Sequence, residues 1–367
     1  VLDGVFSHTG SDSRYFNREG RYGEGGAYRD PNSPYRSWYD FDPKYKGGYR
    51  SWWGFETLPE VNEETPSFVE FITGEGGVID TWLRRGAAGF RLDVADELPD
   101  EFIEKIRTAV KRVSPEKFLL GEVWEDATTK FGFDHRRTYL LGKGLDSVMN
   151  YPFKNSVLDF VKGKPAQQAA NEILSICEHY PAPAINTALN FLSTHDTERA
   201  LTVIADEPAN GRGREWQSGR SVTGEAYEEG MLRLRMAYAI IYTLPGVPCL
   251  YYGDEIGMQG YRDPFNRAFF DWNSTEQRLR GPMKTLAALR RSCDAFDGGR
   301  LELIRAEGDV LHYRRVGKTQ TAEIILNRGP HLIAEEAFGK STEVNPCGFT
   351  VLVEDNEPEH IGYFSVY

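Results

Sequence analysis

Charged and polar side chains follow four predicted strands that are otherwise apolar. They are Asp3 with Ser7 and His8, Arg91 with Asp93, Glu122 before Trp124, and His195 with Asp196. Burying a charged group without a partner is costly, so these residues are poor choices for core packing. The carboxyl ends of the strands form the site face of a parallel α/β barrel, so we expect these residues to share one site.

Two carboxylates of this set could carry out acid–base and nucleophilic chemistry. Arg91 and Asp93 lie two positions apart on one strand, so both side chains point to the same side. The guanidinium favours the ionised form of Asp93, whereas an apolar wall formed by Val123 and Trp124 would favour the protonated form of Glu122. One proton donor and one carboxylate anion are what glycoside hydrolysis requires.

The elements that must position these residues alternate between strands and helices. Apolar strands are predicted at residues 1–6, 87–94, 118–124, 145–151, 187–192 and 248–252. Strands that are apolar on both faces and separated by helices indicate a parallel sheet covered by helices. A closed barrel of this kind has eight strands. The pattern therefore fits either a barrel whose first two strand–helix units precede Val1 or an open six-stranded sheet.

Two regions depart from this alternation. Residues 10 to about 60 contain 13 aromatic side chains between Tyr15 and Phe55 without a steady period, which indicates a long functional or separately packed excursion. A single helix is predicted from Thr65 to Arg85, and Asp100 is predicted to cap the next one. From residue 300 short alternating segments predict an antiparallel β domain, with its boundary near Gly298 and Gly299.

Composition excludes several classes of protein. The formal net charge of -12 argues against a nucleic-acid backbone or an anionic membrane as the main partner. No run of about 18 apolar residues is present, so we predict no membrane span. The four cysteines are far apart and lack metal-site spacing, so we interpret them as buried thiols, which leaves cytoplasmic and secreted locations open.

Five ordered segments resemble the motifs of the alpha-amylase family of glycoside hydrolases. They are Asp3–His8, Leu58–Asn62, Gly89–Ala95, Gly121–Trp124 and Ser193–Asp196. Ala95-Asp96-Glu97 and the later Asp263–Arg267 are similar to the neopullulanase, maltogenic amylase and amylopullulanase branch. The resemblance implies a (β/α)8 TIM barrel that lacks its first two βα units, with an inserted domain B at about 9–62. The implied domains are a catalytic barrel over 1–298 and a C-terminal β-sandwich over 299–367.

The resemblance also implies a role for each matching residue. Asp93 would be the nucleophile, Glu122 the general acid/base and Asp196 the transition-state stabiliser of a retaining enzyme, with the carboxyls of Asp93 and Glu122 ~5–5.5 Å apart. The implied sugar-binding residues are His8, Arg91, Trp124, His195, Asp263 and Arg267. Trp52 and Trp53 are candidate stacking platforms, whereas we expect Glu97 to be a solvated residue at a helix start.

The implied substrates are starch, maltodextrin, pullulan or cyclodextrin, and no organic cofactor is implied. Ser7 replaces an Asn that often binds a structural calcium in this family, so calcium at that position is doubtful, because a hydroxyl is a poorer ligand for a hard cation. Members of the branch often dimerise through an N-terminal domain, which leaves a homodimer of a longer chain open. Three alternatives remain: a transglycosylase or isomerase, a non-catalytic carbohydrate-binding barrel, and an inactive fragment. Preference for α-1,4 or α-1,6 bonds also stays open.

Overall fold

The computed structural model describes residues 1–356 of the chain and divides it into two units, Val1–Met149 and Asn150–Tyr367. Residues 357–367, the last part of the predicted C-terminal domain, lie outside the described residues. No helix among residues 1–356 is long and apolar enough to cross a membrane.

A four-stranded parallel sheet forms the centre of the first unit. Its strands, in spatial and chain order, are Leu2–Gly4, Gly89–Leu92, Phe118–Gly121 and Ser147–Val148. They lie within the first four predicted strands and are shorter. Gly89 allows the two central strands to approach, because a Cβ there would stand 2.0 Å from the carbonyl oxygen of Phe118. The register places Asp3 beside Arg91, so residues of the predicted site meet across the sheet.

Three α-helices accompany this sheet. They are Pro66–Thr73, Val78–Arg84 and Asp100–Val113. The prediction of one helix from Thr65 to Arg85 was wrong, because Gly76, with φ of +75°, interrupts it. The prediction that Asp100 caps its helix was also wrong: Asp100 is the first helical residue, and its carboxylate accepts a hydrogen bond from Arg137 Nε.

The aromatic-rich excursion packs against itself and returns to the strand end from which it leaves. Phe16, Trp38 and Tyr49 are buried, and three short 3-10 helices cover Arg36–Trp38, Lys46–Gly48 and Trp52–Gly54. The Val61 amide donates to the carbonyl of Ser7 at 3.0 Å. A short hairpin completes the regular structure of this unit. Its strands, Phe131–Gly132 and His135–Arg136, have two residues each.

Helices dominate the first half of the second unit. They cover Tyr151–Lys162, Ala166–His179, Ala182–Thr187, Ala200–Ala205, Arg214–Ser218, Gly224–Thr243 and Arg280–Ser292. The predicted strand 187–192 is shortened to Leu189–Asn190, which pairs parallel with Val247–Pro248. The prediction of a strand at 248–252 was wrong beyond Pro248, because residues 249–252 form no strand. Between the helices, a 3-10 turn at Asp254–Ile256 and another at Phe265–Arg267 follow this pair.

An antiparallel sheet forms the end of the second unit, as predicted from the alternating segments. Its spatial order is Gly348–Asp355, Gln320–Asn327, Val310–Val316 and Arg300–Glu307. A separate hairpin, Ile333–Ala337 with Lys340–Val344, was not predicted and packs its apolar residues on Ile325. The fold class is therefore α/β with parallel strands, followed by an antiparallel β region.

Candidate active site

The first unit gathers three carboxylates around one guanidinium. Arg91 Nη1 donates to Asp3 Oδ1 at 2.7 Å and to Asp93 Oδ1 at 2.6 Å, and Nη2 lies 2.8 Å from Glu122 Oε2. The contact with Glu122 is an ion pair without hydrogen-bond alignment, since Arg91 Nη2 has no hydrogen-bond partner among residues 1–356. Burial lowers the pKa of Arg91, but the opposing charges of Glu122, Asp3 and Asp93 outweigh it and raise the pKa above its usual value.

Glu122 lies in a polar pocket, contrary to the expected apolar wall. Its side chain is only 3% exposed, and its carboxylate accepts hydrogen bonds from the Val94 amide at 3.0 Å and from Trp124 Nε1 at 3.2 Å. The reason is that Trp124 presents its indole N–H, rather than only its ring face, to the carboxylate. Glu122 is thus held in one orientation beside Asp93.

The backbone directly after Asp93 is strained. Val94 has φ of +39° and ψ of +52°, the left-handed region, which β-branched residues rarely adopt. Such strain costs on the order of 1–3 kcal/mol and persists where the surrounding structure requires it. Here the turn aims the Val94 amide at Glu122 Oε2 and so connects the ends of two neighbouring strands.

His8 and the tryptophans of the excursion lie next to this cluster. The His8 ring is 5.2 Å from the Trp52 ring, and its Nδ1 bonds the Ser7 hydroxyl at 3.0 Å. Burial lowers the pKa of His8, which Asp93 and Glu97 partly oppose. Glu97 is not a solvated helix start: its two carboxylate oxygens accept from Trp52 Nε1 at 2.6 Å and from Trp53 Nε1 at 2.8 Å.

A cavity of about 850 Å³ opens beside the two tryptophans. Trp52, Trp53, Glu63 and Glu97 are among its lining residues, and the Trp53 side chain is 76% exposed. Burial raises the pKa of Glu63 to about 8, with a smaller contribution from the nearby charge of Glu60. Aromatic faces flanked by carboxyl groups suit a neutral ligand with many hydroxyls.

The residues around Ser7 do not fit a calcium site. The Ser7 hydroxyl is buried and hydrogen-bonded to His8. No group of three or more His, Cys, Asp or Glu side chains within residues 1–356 has the arrangement of a metal site. Hard cations prefer several oxygen ligands, and the hydroxyl oxygen of Ser7 is already engaged with His8.

The second unit brings the other predicted residues together. His195 Nε2 lies 3.0 Å from Asp196 Oδ2, and Arg267 Nη2 donates to Asp196 Oδ1 at 3.2 Å. Arg267 Nε also donates to the carbonyl of His195 at 2.9 Å and lies 3.5 Å from Asp263 Oδ1. The side chains of Asp263 and Arg267 are both half exposed, and Arg267 contacts the predicted catalytic loop directly.

Two buried residues that contact the segment around His195 and Asp196 were not predicted as site residues from the sequence. Asp254 accepts hydrogen bonds from Ser193 Oγ and Tyr238 Oη, both at 2.6 Å, and burial raises its pKa to about 6. Asn266 donates to carbonyls on either side of His195. The sequence signal was weak: Asn266 lies within the recognised segment Asp263–Arg267, and Asp254 lies nine residues before it.

Comparisons with known proteins identify the family of this chain. A family model described as alpha amylase, catalytic domain, matches residues 1–294. The amylopullulanase of Thermoanaerobacter thermohydrosulfuricus is 34% identical over an alignment of 374 positions, gaps included, which covers 90% of this chain and 24% of that protein. The cyclomaltodextrinase of Geobacillus thermopakistaniensis is 28% identical, covering 89% of this chain and 51% of that protein. The chain thus spans about a quarter to a half of these curated relatives.

Solved structures share the fold. Cyclic alpha-maltosyl-(1→6)-maltose hydrolase from Arthrobacter globiformis matches with a TM-score of 0.80 and 24% identity, over 96% of this chain and 74% of that one. The type III pullulan hydrolase from Thermococcus kodakarensis matches with a TM-score of 0.78 and 24% identity, over 96% and 59%. At this identity the likeness concerns the fold alone.

Proposed function

Because the chain belongs to the alpha-amylase family, we propose that it is a retaining glycoside hydrolase that cleaves α-glucosidic bonds. The observation that carries this proposal is the pair Asp93 and Glu122, which end neighbouring parallel strands and face the same guanidinium. A nucleophile and an acid/base held this way on adjacent strands suit the two steps of a retaining mechanism.

In the first step, Asp93 attacks the anomeric carbon and forms a glucosyl ester while the bond to the leaving oxygen breaks. Glu122 gives its proton to that oxygen. In the second step, Glu122 takes a proton from water as the water oxygen bonds the anomeric carbon, and the ester bond to Asp93 breaks. Arg91 supports this assignment because its guanidinium contacts both carboxylates and so holds them beside each other.

Asp196 is proposed as the stabiliser of the positively charged transition state. Its contacts with His195 and Arg267 support a fixed carboxylate rather than a mobile surface acid. His8, Arg91, Trp124 and His195 are proposed to bind the sugar at the cleaved bond, and Asp263 with Arg267 to contact glucose units toward the non-reducing side.

The proposed substrates are starch, maltodextrin, pullulan or cyclodextrin. The names of the relatives support this class, since they include an amylopullulanase and a cyclomaltodextrinase. Trp52 and Trp53 are proposed as platforms on which glucose rings stack, supported by the exposed face of Trp53 and the cavity beside it.

We also propose that the parallel strands belong to a (β/α)8 barrel. The pairings support this, because the strands of the first unit are parallel neighbours in chain order and Leu189–Asn190 pairs parallel with Val247–Pro248. The barrel would cover 1–298, with domain B at about 9–62, and the β-sandwich would begin at 299.

The test is product analysis with maltotriose, pullulan and β-cyclodextrin. The chain should release sugars whose new reducing ends are initially α, and Asp93→Asn, Glu122→Gln and Asp196→Asn should each lose at least about a hundredfold in kcat. Glu343→Gln, on an exposed strand position, is the control and should keep full activity. Rearranged oligosaccharides without net hydrolysis would instead indicate a transglycosylase, and full activity of Glu122→Gln would refute the mechanism.

A further inference from the structure

The loop Ser193–Thr197, which carries His195 and Asp196, has no regular secondary structure to satisfy its backbone. Buried carbonyl oxygens need hydrogen-bond donors, so another part of the chain must supply them. The Asn266 side chain donates to three of them. Its Nδ2 donates to the carbonyls of Thr194 at 3.2 Å, His195 at 2.8 Å and Thr197 at 2.8 Å.

Asn266 is fully buried, at 0% exposure, within the short 3-10 turn Phe265–Arg267. Its amide has two protons for three carbonyls, so at least one hydrogen bond is shared. Its Oδ1 is buried without a hydrogen-bond partner among the described residues. A buried polar group left half-satisfied costs stability, which indicates that the donor side of the amide is what this position requires.

The neighbouring residue acts on the same loop. Arg267 Nε donates to the carbonyl of His195, and its Nη2 donates to the carboxylate of Asp196. Within the loop, the Asp196 amide donates to Thr194 Oγ1 at 3.1 Å. Two successive residues thus fix first the backbone path and then the carboxylate direction of Asp196.

We propose that Asn266 is a positioning residue that sets the orientation of Asp196 for transition-state stabilisation. The inference rests on the proposed function, because Asp196 is taken as the stabilising carboxylate. Catalytic groups displaced by about 1 Å lose roughly a hundredfold in rate, so a residue that never touches substrate can act at this scale.

Asn266→Asp tests the proposal, because it replaces the two amide protons by an acceptor that faces three carbonyls. Asn327→Asp is the matched control. Asn327 is 1% exposed and its Nδ2 donates to the carbonyls of His331, Val344 and Asn345 at 2.7, 3.2 and 3.1 Å. Asn266→Ser, which removes the donors without adding charge, is measured in parallel in case the Asp variant fails to fold.

Three readouts are expected to separate positioning from a purely structural role. At equal folded fraction, Asn266→Asp and Asn266→Ser should lose at least tenfold in kcat on maltotriose with KM within twofold, while Asn327→Asp keeps its kcat. The loss should be as large on α-maltosyl fluoride, because a good leaving group replaces the proton from Glu122 but not the charge of Asp196. Hydrogen exchange of amides 193–197 should accelerate only in the Asn266 variants.

A kcat within twofold of the parent, or unchanged exchange at 193–197, in a folded Asn266 variant would overturn the inference. These outcomes leave the proposed function standing. Retained activity of Asp196→Asn would instead overturn the assigned role of Asp196. A chain inactive on every glucan would count against the proposed function, while the exchange measurement would still decide whether Asn266 orders the loop.

Discussion

Replacing Arg91 by Met should show how much of the protein's stability depends on the cation at the centre of the carboxylate cluster. The Arg91 side chain is 11% exposed, and its partners differ in burial: Asp3 is 54% exposed, Asp93 19% and Glu122 3%. The exposed partner contributes about 0–1 kcal/mol. A buried carboxylate that loses its cation costs about 3–5 kcal/mol. Glu122 is the most buried partner, so the loss of its cation should account for most of the effect. We therefore expect Arg91→Met to lower the free energy of unfolding by about 3–5 kcal/mol.

Urea unfolding at pH 7, followed by circular dichroism, measures this loss. Arg21→Met is the control, because Arg21 pairs with Asp12 at a similarly short 2.6 Å but with side chains 64% and 47% exposed. It should lose less than about 1 kcal/mol, and 0.5 M NaCl should reduce that effect, whereas a buried pair is screened far less. Equal losses in the two variants would refute the argument that burial decides the strength of the Arg91 cluster.

Three further substitutions test other features. Burial lowers the pKa of Lys154, which is 9% exposed, to about 8, so the unfolded chain binds more protons between pH 8 and 10.5. Lys154→Met should therefore be more stable than the parent at pH 7, by at most ~3 kcal/mol, with the gap closing as pH rises to 10.5. For Glu63 the change of stability with pH has the opposite sign. Its raised pKa of about 8 makes the folded state lose stability as pH rises from about 4.5 to 8. Glu63→Gln should thus gain stability above pH 8, by at most ~5 kcal/mol, and show little gain below pH 4.5 in thermal melts. Val94→Gly removes a left-handed valine, so it should stay within about 1 kcal/mol of the parent while kcat falls. A loss as large as that of Val69→Gly, at a similarly half-buried position in the helix Pro66–Thr73, would contradict the strain.

The sequence predicted best those features that depend on local periodicity. The apolar positions Phe102, Ile103, Ile106 and Val110 recur at helical spacing, and the helix Asp100–Val113 buries all four. The strand ends that carry Asp93 and Glu122 were predicted for the same reason, since a buried strand followed by a charge is a local pattern. Parallel pairing then places both residues at one edge of the sheet.

Features that depend on distant side chains could not be predicted. Glu97 follows a strand like any acid at a helix start, and only folding brings its carboxylate to tryptophans 44 and 45 positions earlier. Asn266 carries no charge and fits no periodicity, so the sequence does not show its three hydrogen bonds, although it lies within the recognised segment Asp263–Arg267. The hairpin 333–344 was missed because its strands contain Glu335, Glu336 and Glu343, which obscure the apolar alternation.

The carboxylate of Glu97 anchors two indole rings at once, and this has a thermodynamic consequence for any sugar that docks on them. Large side chains that are free to rotate lose about 0.5–1.5 kcal/mol each when a ligand immobilises them. Trp52 and Trp53 have already lost this rotational freedom on folding, because both indole N–H groups are hydrogen-bonded to Glu97. Glucan chains of different lengths would then meet the same preformed surface, and affinity would depend on ring contact rather than on rearranging the protein.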